Sequence, residues 1–288
     1  FHAPHYVLPP LTPCRSVVTI HDCIHLRFPQ YLPSKLGYAY ARAQMWTATH
    51  RAGRVITVSE ASKRDILRYF RVPESQIDVI YNAIDERFWQ EPSEEEIGRV
   101  RERYRLDNPF VLYAGNIKPH KNLERLIEAF HLLRQNSPQL KDVQLLIIGD
   151  EISKYATLRR AVHRHKLHKH VRFFGFVPDQ TLAALYRLAN VFVFPSLYEG
   201  FGLPPLEAMA SGTPVITSNV SSLPEVVGQA ALMIDPYEPS AIADAMYRVL
   251  TDAPLRAELI QLGFARAREF SWERSIKRVR EIYEEVMQ

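Results

Sequence analysis

Cysteine is scarce in this chain of 288 residues, which holds only Cys14 and Cys23. Two thiols cannot build a disulfide framework, so a disulfide-stapled secreted scaffold is excluded and a reducing cytoplasm is expected. Long apolar runs are missing as well: none approaches the roughly 18 residues that a bilayer-spanning helix needs. Neither charge dominates, since 36 Lys and Arg oppose 32 Asp and Glu for a formal net charge of +4. So mild a basic balance suits a polyanionic ligand or an anionic membrane surface without demanding either. There is no P-loop lysine pattern, which argues against an NTPase. In Gly200–Pro205 a proline takes the last place of a G-x-G-x-x-G fingerprint, so no nicotinamide cofactor is indicated. The chain opens FHAPHYVLPP, with no signal peptide and no initiator Met, and a fragment or trimmed form is expected.

What is present is the composition of a globular protein, 47% apolar and 24% charged, long enough for two domains. Val17–Ile20 reads as a buried strand ending in His21-Asp22. A helix is expected from about Ser34 to Ala52, a strand over Arg54–Val58, and a helix to about Arg71 with Ser59 as its N-cap. Ile77–Ile80 gives a third strand. Glu91–Pro109 is dense in charge and reads as an exposed linker with a short helix, hence a domain boundary. The rhythm then restarts, with strands at Phe110–Ala114, Val143–Gly149, Val171–Phe174, Val191–Phe194, Pro214–Thr217 and Ala231–Ile234. Helices fall between them, one running from Asn122 to about Asn136, a basic one from about Ser153, and one opened by Pro178-Asp179. Helices fill the chain from about Pro239 onward. Strands alternating with helices imply parallel α/β sheets.

The most informative stretch is Val191–Gly212, VFVFPSLYEGFGLPPLEAMASG: an apolar strand, a turn bracketed by Gly200 and Gly202, then a helix with Pro204 and Pro205 in its first turn and Gly212 as its C-cap. Such a unit aims helix N-terminal N–H groups at an anion. Glu199 and Glu207 flank that anion site, and a carboxylate there suits neutral sugar hydroxyls; on spacing alone, a dipole-complementing Glu207 and a solvated Glu199 serve as well. A second loop, Ala114-Gly115-Asn116-Ile117-Lys118-Pro119-His120-Lys121-Asn122, joins a strand to a helix at the strand's carboxyl end, where ligands of open α/β sheets bind. Lys121 could set an ammonium on a diphosphate or simply sit in water. His21 and His25 share an i, i+4 spacing, but HDCIH lacks the glutamate of HExxH and reads as non-helical, so a metal site is not expected. His163, His165, His168 and His170, among Arg159, Arg160, Lys166 and Lys169, read as a solvated basic helix and turn.

SLYEGFGLPPLEAMASGTPVITS resembles the E-x7-E signature of the retaining glycosyltransferases of family 4, which have the two-domain GT-B fold. The resemblance implies that Glu199 contacts the transferred sugar and Glu207 the ribose hydroxyls of the nucleotide. The turn amides of Gly200, Phe201, Gly202 and Leu203 would face the sugar and distal phosphate. The segment from Gly115 to Asn122 is similar to the family's G-x-x-x-P-R-K-N loop, whose lysine binds the donor diphosphate, with His120 standing where arginine is frequent. A neutral imidazole there implies weaker phosphate binding and a pH dependence near its ordinary pKa of about 6.5. Thr19-Ile20-His21-Asp22 resembles the first-domain motif whose histidine lies near the transferred sugar and acceptor. Ser59 and Asn82 match family positions and read as structural. FSWERSIKRVREIYEEV is similar to the family's closing helix, which packs back on the first domain.

The resemblance implies an α/β GT-B fold of two Rossmann-like domains with parallel sheets, the first incomplete and the second complete. The expected division is residues 1–90, a linker 91–109, a nucleotide-sugar-binding domain 110–268, and a closing helix 269–288. The implied activity is metal-independent, retaining transfer of a hexose to a glycan or lipid-linked sugar acceptor, in keeping with the lack of an Asp-x-Asp motif. GDP-mannose is the first expected donor and a UDP-hexose the second. Expected site residues are His21, Glu199 and Lys121 for catalysis. Donor binding is expected from Gly115, Asn116, His120, Lys121, Glu199, Gly200, Phe201, Gly202, Leu203 and Glu207, with backbone at Phe176 and Val177 holding the base. No cofactor, metal or nucleic acid is expected. The expected location is cytoplasmic, with peripheral contact at the inner face of the membrane as a further hypothesis. The rival readings are a GT-B nucleotide-sugar epimerase and a nucleotide-sugar-binding module without turnover.

Overall fold

A computed structural model describes residues 1–9, 11, 13–32, 34–149 and 155–287. The chain divides into two compact units. The first is Phe1–Ala83 with Tyr198–Gly202 and Phe270–Gln288; the second is Ile84–Leu197 with Leu203–Glu269.

The first unit holds a parallel sheet of β1 (His2–Ala3), β2 (Val17–Thr19), β3 (Arg54–Thr57) and β4 (Ile77–Val79), paired in that order. The last three are legible as apolar runs. β1 is not, because two residues carry no periodicity and pairing with β2 alone makes them a strand. The helices are α1 (Ile24–Arg27), α2 (Lys35–Arg51) and α3 (Glu60–Phe70). The α2 and α3 starts follow from their caps: Ser34 accepts from the Gly37 N–H, and Ser59 from the Ser62 N–H. α1 is a correction to the non-helical reading of HDCIH. The Asp22 carboxylate accepts the Ile24 N–H at 2.8 Å and starts a single helical turn that contains His25.

Side chains alternate across this sheet. Val18 and Val55 pack with Met45, Ile66 and Phe70 on one face. Val17, Ile56 and Ile80 pack on the other with Ile282 of the closing helix, Trp272–Met287. Ile282 is fully buried, worth roughly 1.5–3 kcal/mol. Asp78 ties the same elements together, accepting from Arg54 Nε at 2.8 Å and Nη2 at 2.9 Å, and from Arg278 Nη2 at 2.8 Å.

The second unit begins at Ile84 and takes in the charged segment Glu91–Pro109 read as a linker. It contains α4 (Glu94–Tyr104), started by a reciprocal capping box of Ser93 and Glu96, and buries Val100 and Tyr104. There follow β5 (Phe110–Ala114), α5 (Leu123–Asn136), β6 (Gln144–Ile148), α6 (Ala156–Arg164), β7 (Val171–Phe174), α7 (Asp179–Leu188), β8 (Val191–Phe194) and α8 (Leu203–Ala210). β9 (Val215–Ser218), α9 (Leu223–Val227), β10 (Ala231–Ile234), α10 (Pro239–Thr251) and α11 (Ala253–Ala267) complete it. The basic helix expected from about Ser153 begins outside the described residues; its described part is α6. Of the histidines read as solvated there, His165 lies against His131, ring centroids 4.5 Å apart, and His170 is 3.0 Å from the Arg134 guanidinium.

Its strands are all parallel, in the order β10-β9-β8-β5-β6-β7. β5 and β8 are fully buried along their length, as central parallel strands must be. The chain runs outward in one direction from β5 and in the other from β8. The order therefore reverses between these two strands, and their carboxyl ends form the switch point where open α/β sheets bind ligands.

Candidate active site

In the second unit, the loop after β5 lies at the switch point. It carries Gly115, Asn116, His120 and Lys121 into α5. Gly115 has φ +149, and a Cβ on it would lie 3.3 Å from the Tyr113 hydroxyl, so glycine suits the position. The loop is fastened to the one after β8: the Leu197 N–H donates to the His120 carbonyl at 2.7 Å. Lys121 Nζ lies 5.2 Å from the Phe194 ring centroid, a cation–π placement that restrains the ammonium at the end of β8. His120 lacks the expected titration near 6.5. Burial, helped by Lys121 and Lys118, lowers its pKa to about 4, so the imidazole is neutral at physiological pH.

Two residues that sequence reasoning did not single out build this loop. Asn122 has φ 64, a left-handed conformation that asparagine tolerates. Its side-chain amide donates to the Pro195 carbonyl at 3.0 Å and to the Pro236 carbonyl at 2.7 Å, joining the loops after β5, β8 and β10. Gly149 follows β6, and a Cβ there would meet the Gly115 carbonyl oxygen at 2.3 Å. Only glycine admits that approach.

Glu207 lies in α8, which starts at Leu203. Because Pro204 and Pro205 have no N–H, the first-turn amides of this helix are those of Leu203 and Leu206. The Tyr186 hydroxyl donates to Glu207 Oε2 at 3.1 Å. Burial raises the Glu207 pKa to about 7. The Tyr186 hydrogen bond and Arg87 oppose the rise, while Asp179 and Asp85 add to it. Arg87 is itself held by Asp85 at 2.8 Å and Asp179 at 2.5 Å. Tyr186, Arg87 and Asp179 also escaped the sequence reading, because no local spacing links them to Glu207. Phe176 and Val177 follow β7; Phe176 is exposed and Val177 buried. The second unit thus collects Gly115, Asn116, His120, Lys121, Phe176, Val177, Leu203 and Glu207 in loops and a helix that follow the carboxyl ends of its strands.

The remaining candidates lie in the first unit. His21 follows β2, and its Nε2 is 3.2 Å from the Pro4 carbonyl. A carbonyl can only accept, so that nitrogen carries a proton. The segment Tyr198–Gly202, with Glu199, Gly200, Phe201 and Gly202, packs here. Ser59 Oγ donates to the Gly200 carbonyl at 2.6 Å, and Ser62 Oγ lies 3.0 Å from the His21 carbonyl and 3.2 Å from that of Gly200. The Tyr198 hydroxyl donates to Asp65 at 2.8 Å. A Cβ on Gly200 would sit 2.7 Å from the His21 carbonyl oxygen, so glycine lets the two backbones meet. The Phe201 ring is buried against Tyr81 and Phe270, 5.9 and 5.7 Å between centroids. Its side chain anchors the segment. Among the described residues, no three His, Cys, Asp or Glu side chains converge as a metal site, and no helix is long and apolar enough to cross a membrane.

Two parallel α/β units, the second with its candidate residues at the switch point, match the two-domain GT-B architecture. A family model described as Glycosyl transferases group 1 matches residues 95–266, and one described as Glycosyltransferase Family 4 matches residues 1–88. Among relatives, the chain is 36% identical over 274 residues to an O-antigen chain mannosyltransferase B from Escherichia coli, covering 95% of this chain and 71% of that protein. It is 32% identical over 261 residues to the serotype-specific mannosyltransferase WbdA of the same organism, covering 90% of this chain and 32% of that one. The chain thus spans about a third of that second relative. Among solved structures, a sucrose-phosphate synthase from Thermosynechococcus elongatus aligns with TM-score 0.79 and 26% identity, over 95% of this chain and 68% of that one. Anabaena HepE in complex with UDP-glucose aligns with TM-score 0.81 and 21% identity, over 94% and 72%. The chain belongs to glycosyltransferase family 4.

Proposed function

We propose that this glycosyltransferase moves a hexose, with mannose the first choice, from a nucleotide-diphosphate sugar to a glycan or lipid-linked sugar acceptor. GDP-mannose is the preferred donor and a UDP-hexose the alternative. The carrying observation is the fastening of the Lys121 loop to the loop after β8 at the switch point of the second sheet. The mannosyltransferase names of the relatives support the sugar, and the UDP-glucose complex of HepE supports a nucleotide sugar as donor.

In this reading Lys121 neutralises charge growing on the leaving diphosphate, the electrostatic type of catalysis, without a metal. Glu207 accepts the ribose hydroxyls, Glu199 orients the transferred sugar, and His21 lies near sugar and acceptor. Gly115, Asn116 and the turn Gly200–Leu203 bring backbone to the phosphates and sugar, and Phe176–Val177 backbone holds the base. The acceptor hydroxyl attacks the anomeric carbon on the face the diphosphate leaves. The new C–O bond forms where the old one breaks, configuration is retained, and the acceptor proton passes to the departing phosphate oxygen. His120, neutral at physiological pH, contributes no charge to this step.

Titration calorimetry with GDP, UDP, GDP-mannose and UDP-glucose in metal-free buffer tests the donor assignment. Micromolar binding of one nucleotide, lost in Glu207→Ala, is expected; equal binding by the variant would overturn the ribose role. A cytoplasmic enzyme at the inner membrane face belongs to the same proposal, supported by α2, whose 17 residues include Lys35, Arg42 and Arg51 and no acid. Failure to pellet with anionic liposomes would sink the membrane part.

A further inference from the structure

Tyr186 is an unusual helix residue. Its ring is fully buried, edge-on to Phe88 and Phe192 with centroids 5.8 and 5.2 Å away. Its backbone carbonyl accepts the Thr213 hydroxyl at 2.5 Å. A phenol this enclosed needs one partner for its hydroxyl, and that partner is Glu207 Oε2 at 3.1 Å. A carboxylate offers about four acceptor sites, so one hydrogen bond leaves the others available. A glutamate side chain on a short helix otherwise samples several rotamers. Tied on one oxygen to a ring that cannot move, it is held in one.

We propose that Tyr186 is a positioning residue of the donor site, holding Glu207 through Oε2 so that its remaining acceptor sites meet the two ribose hydroxyls of a nucleoside diphosphate. This rests on the ribose role of Glu207. The charged groups around that carboxylate are Asp179 at the start of α7 and Asp85 and Arg87 from the segment before α4. Tyr186 remains a donor throughout the working range, because burial and the Glu207 charge push its own ionisation far up. Its hydrogen bond favours the ionised carboxylate, the form that accepts ribose hydroxyls, and opposes the burial that raises the Glu207 pKa to about 7.

The test is calorimetric binding of GDP and UDP, and of their 2′,3′-dideoxy analogues, between pH 5.5 and 8.5 to the unaltered chain, Tyr186→Phe and Glu207→Gln. Tyr186→Phe keeps the ring and its packing, and a melting curve checks its fold. We expect the ribonucleotide to bind about tenfold more weakly to Tyr186→Phe, a factor set by one hydrogen bond to a charged group. The dideoxy analogue should bind it unchanged. Binding of the unaltered chain should strengthen as pH rises through about 7, and that midpoint should move upward in the variant. If Tyr186→Phe leaves both affinity and midpoint where they were while Glu207→Gln loses binding, the positioning role is wrong. Equal weakening of ribose and dideoxy ligands would mean a structural role and overturn it too. If Glu207→Gln binds the ribonucleotide normally, the ribose reading of Glu207 itself falls.

Discussion

Replacing Glu207 with glutamine should make the protein more stable at pH 8 and nearly neutral in effect at pH 5. The side chain is largely buried, and burial raises its pKa from 4.5 to about 7. A group whose folded pKa exceeds its unfolded one binds more protons when folded, so stability falls as pH climbs between the two values. Well below 4.5 both states are protonated and no penalty exists; above about 7 the penalty is complete. Two and a half units amount to about 3 kcal/mol at pH 8, and to less than about 1 kcal/mol at pH 5. Glutamine has no charge to bury, and its carbonyl still accepts the Tyr186 hydroxyl, so most of the penalty should be recovered. Urea unfolding of both proteins at the two pH values, followed by fluorescence, reads the difference directly. A gain of the same size at both pH values, or none at either, would refute the reasoning. The expected pattern is that of a residue kept for binding at the expense of stability.

His120, with its pKa lowered to about 4, should add no step to the pH dependence of nucleotide binding between pH 6 and 8; a His120→Asn profile that differs in shape from the original would contradict this. Asn122→Ala removes two buried hydrogen bonds to the Pro195 and Pro236 carbonyls and should lower stability by about 2–4 kcal/mol in urea unfolding. Gly149→Ala drives a Cβ to 2.3 Å from the Gly115 carbonyl oxygen. It should lower stability by about 1–3 kcal/mol, the range for overpacking, and weaken nucleotide binding in calorimetry by displacing the loop that carries Lys121. Asp78→Ala removes the less exposed of the two carboxylates that Arg54 and Arg278 share, leaving them Glu285, and a fall in melting temperature is expected.

The alternation of β-strands with helices, the cap at Ser59, and the strand–turn–helix unit at Val191–Gly212 were all legible in the chain. Each depends on contacts between residues a few positions apart, which periodicity and capping chemistry report directly. The glutamates of E-x7-E and the lysine of the Gly115–Asn122 loop were singled out by the family resemblance, because spacing alone left them open to a solvated or dipole-complementing reading. Tertiary structure decided the rest. It made two residues at His2–Ala3 a strand, and set β5 beside β8, which creates the switch point. It placed Tyr186 and the Asp85, Arg87 and Asp179 group around Glu207, and left His120 desolvated and neutral. Strand order, side-chain burial and the charges facing a carboxylate arise between residues tens of positions apart. Ionisation follows burial and distant neighbours, and neither is written in any local run of amino acids.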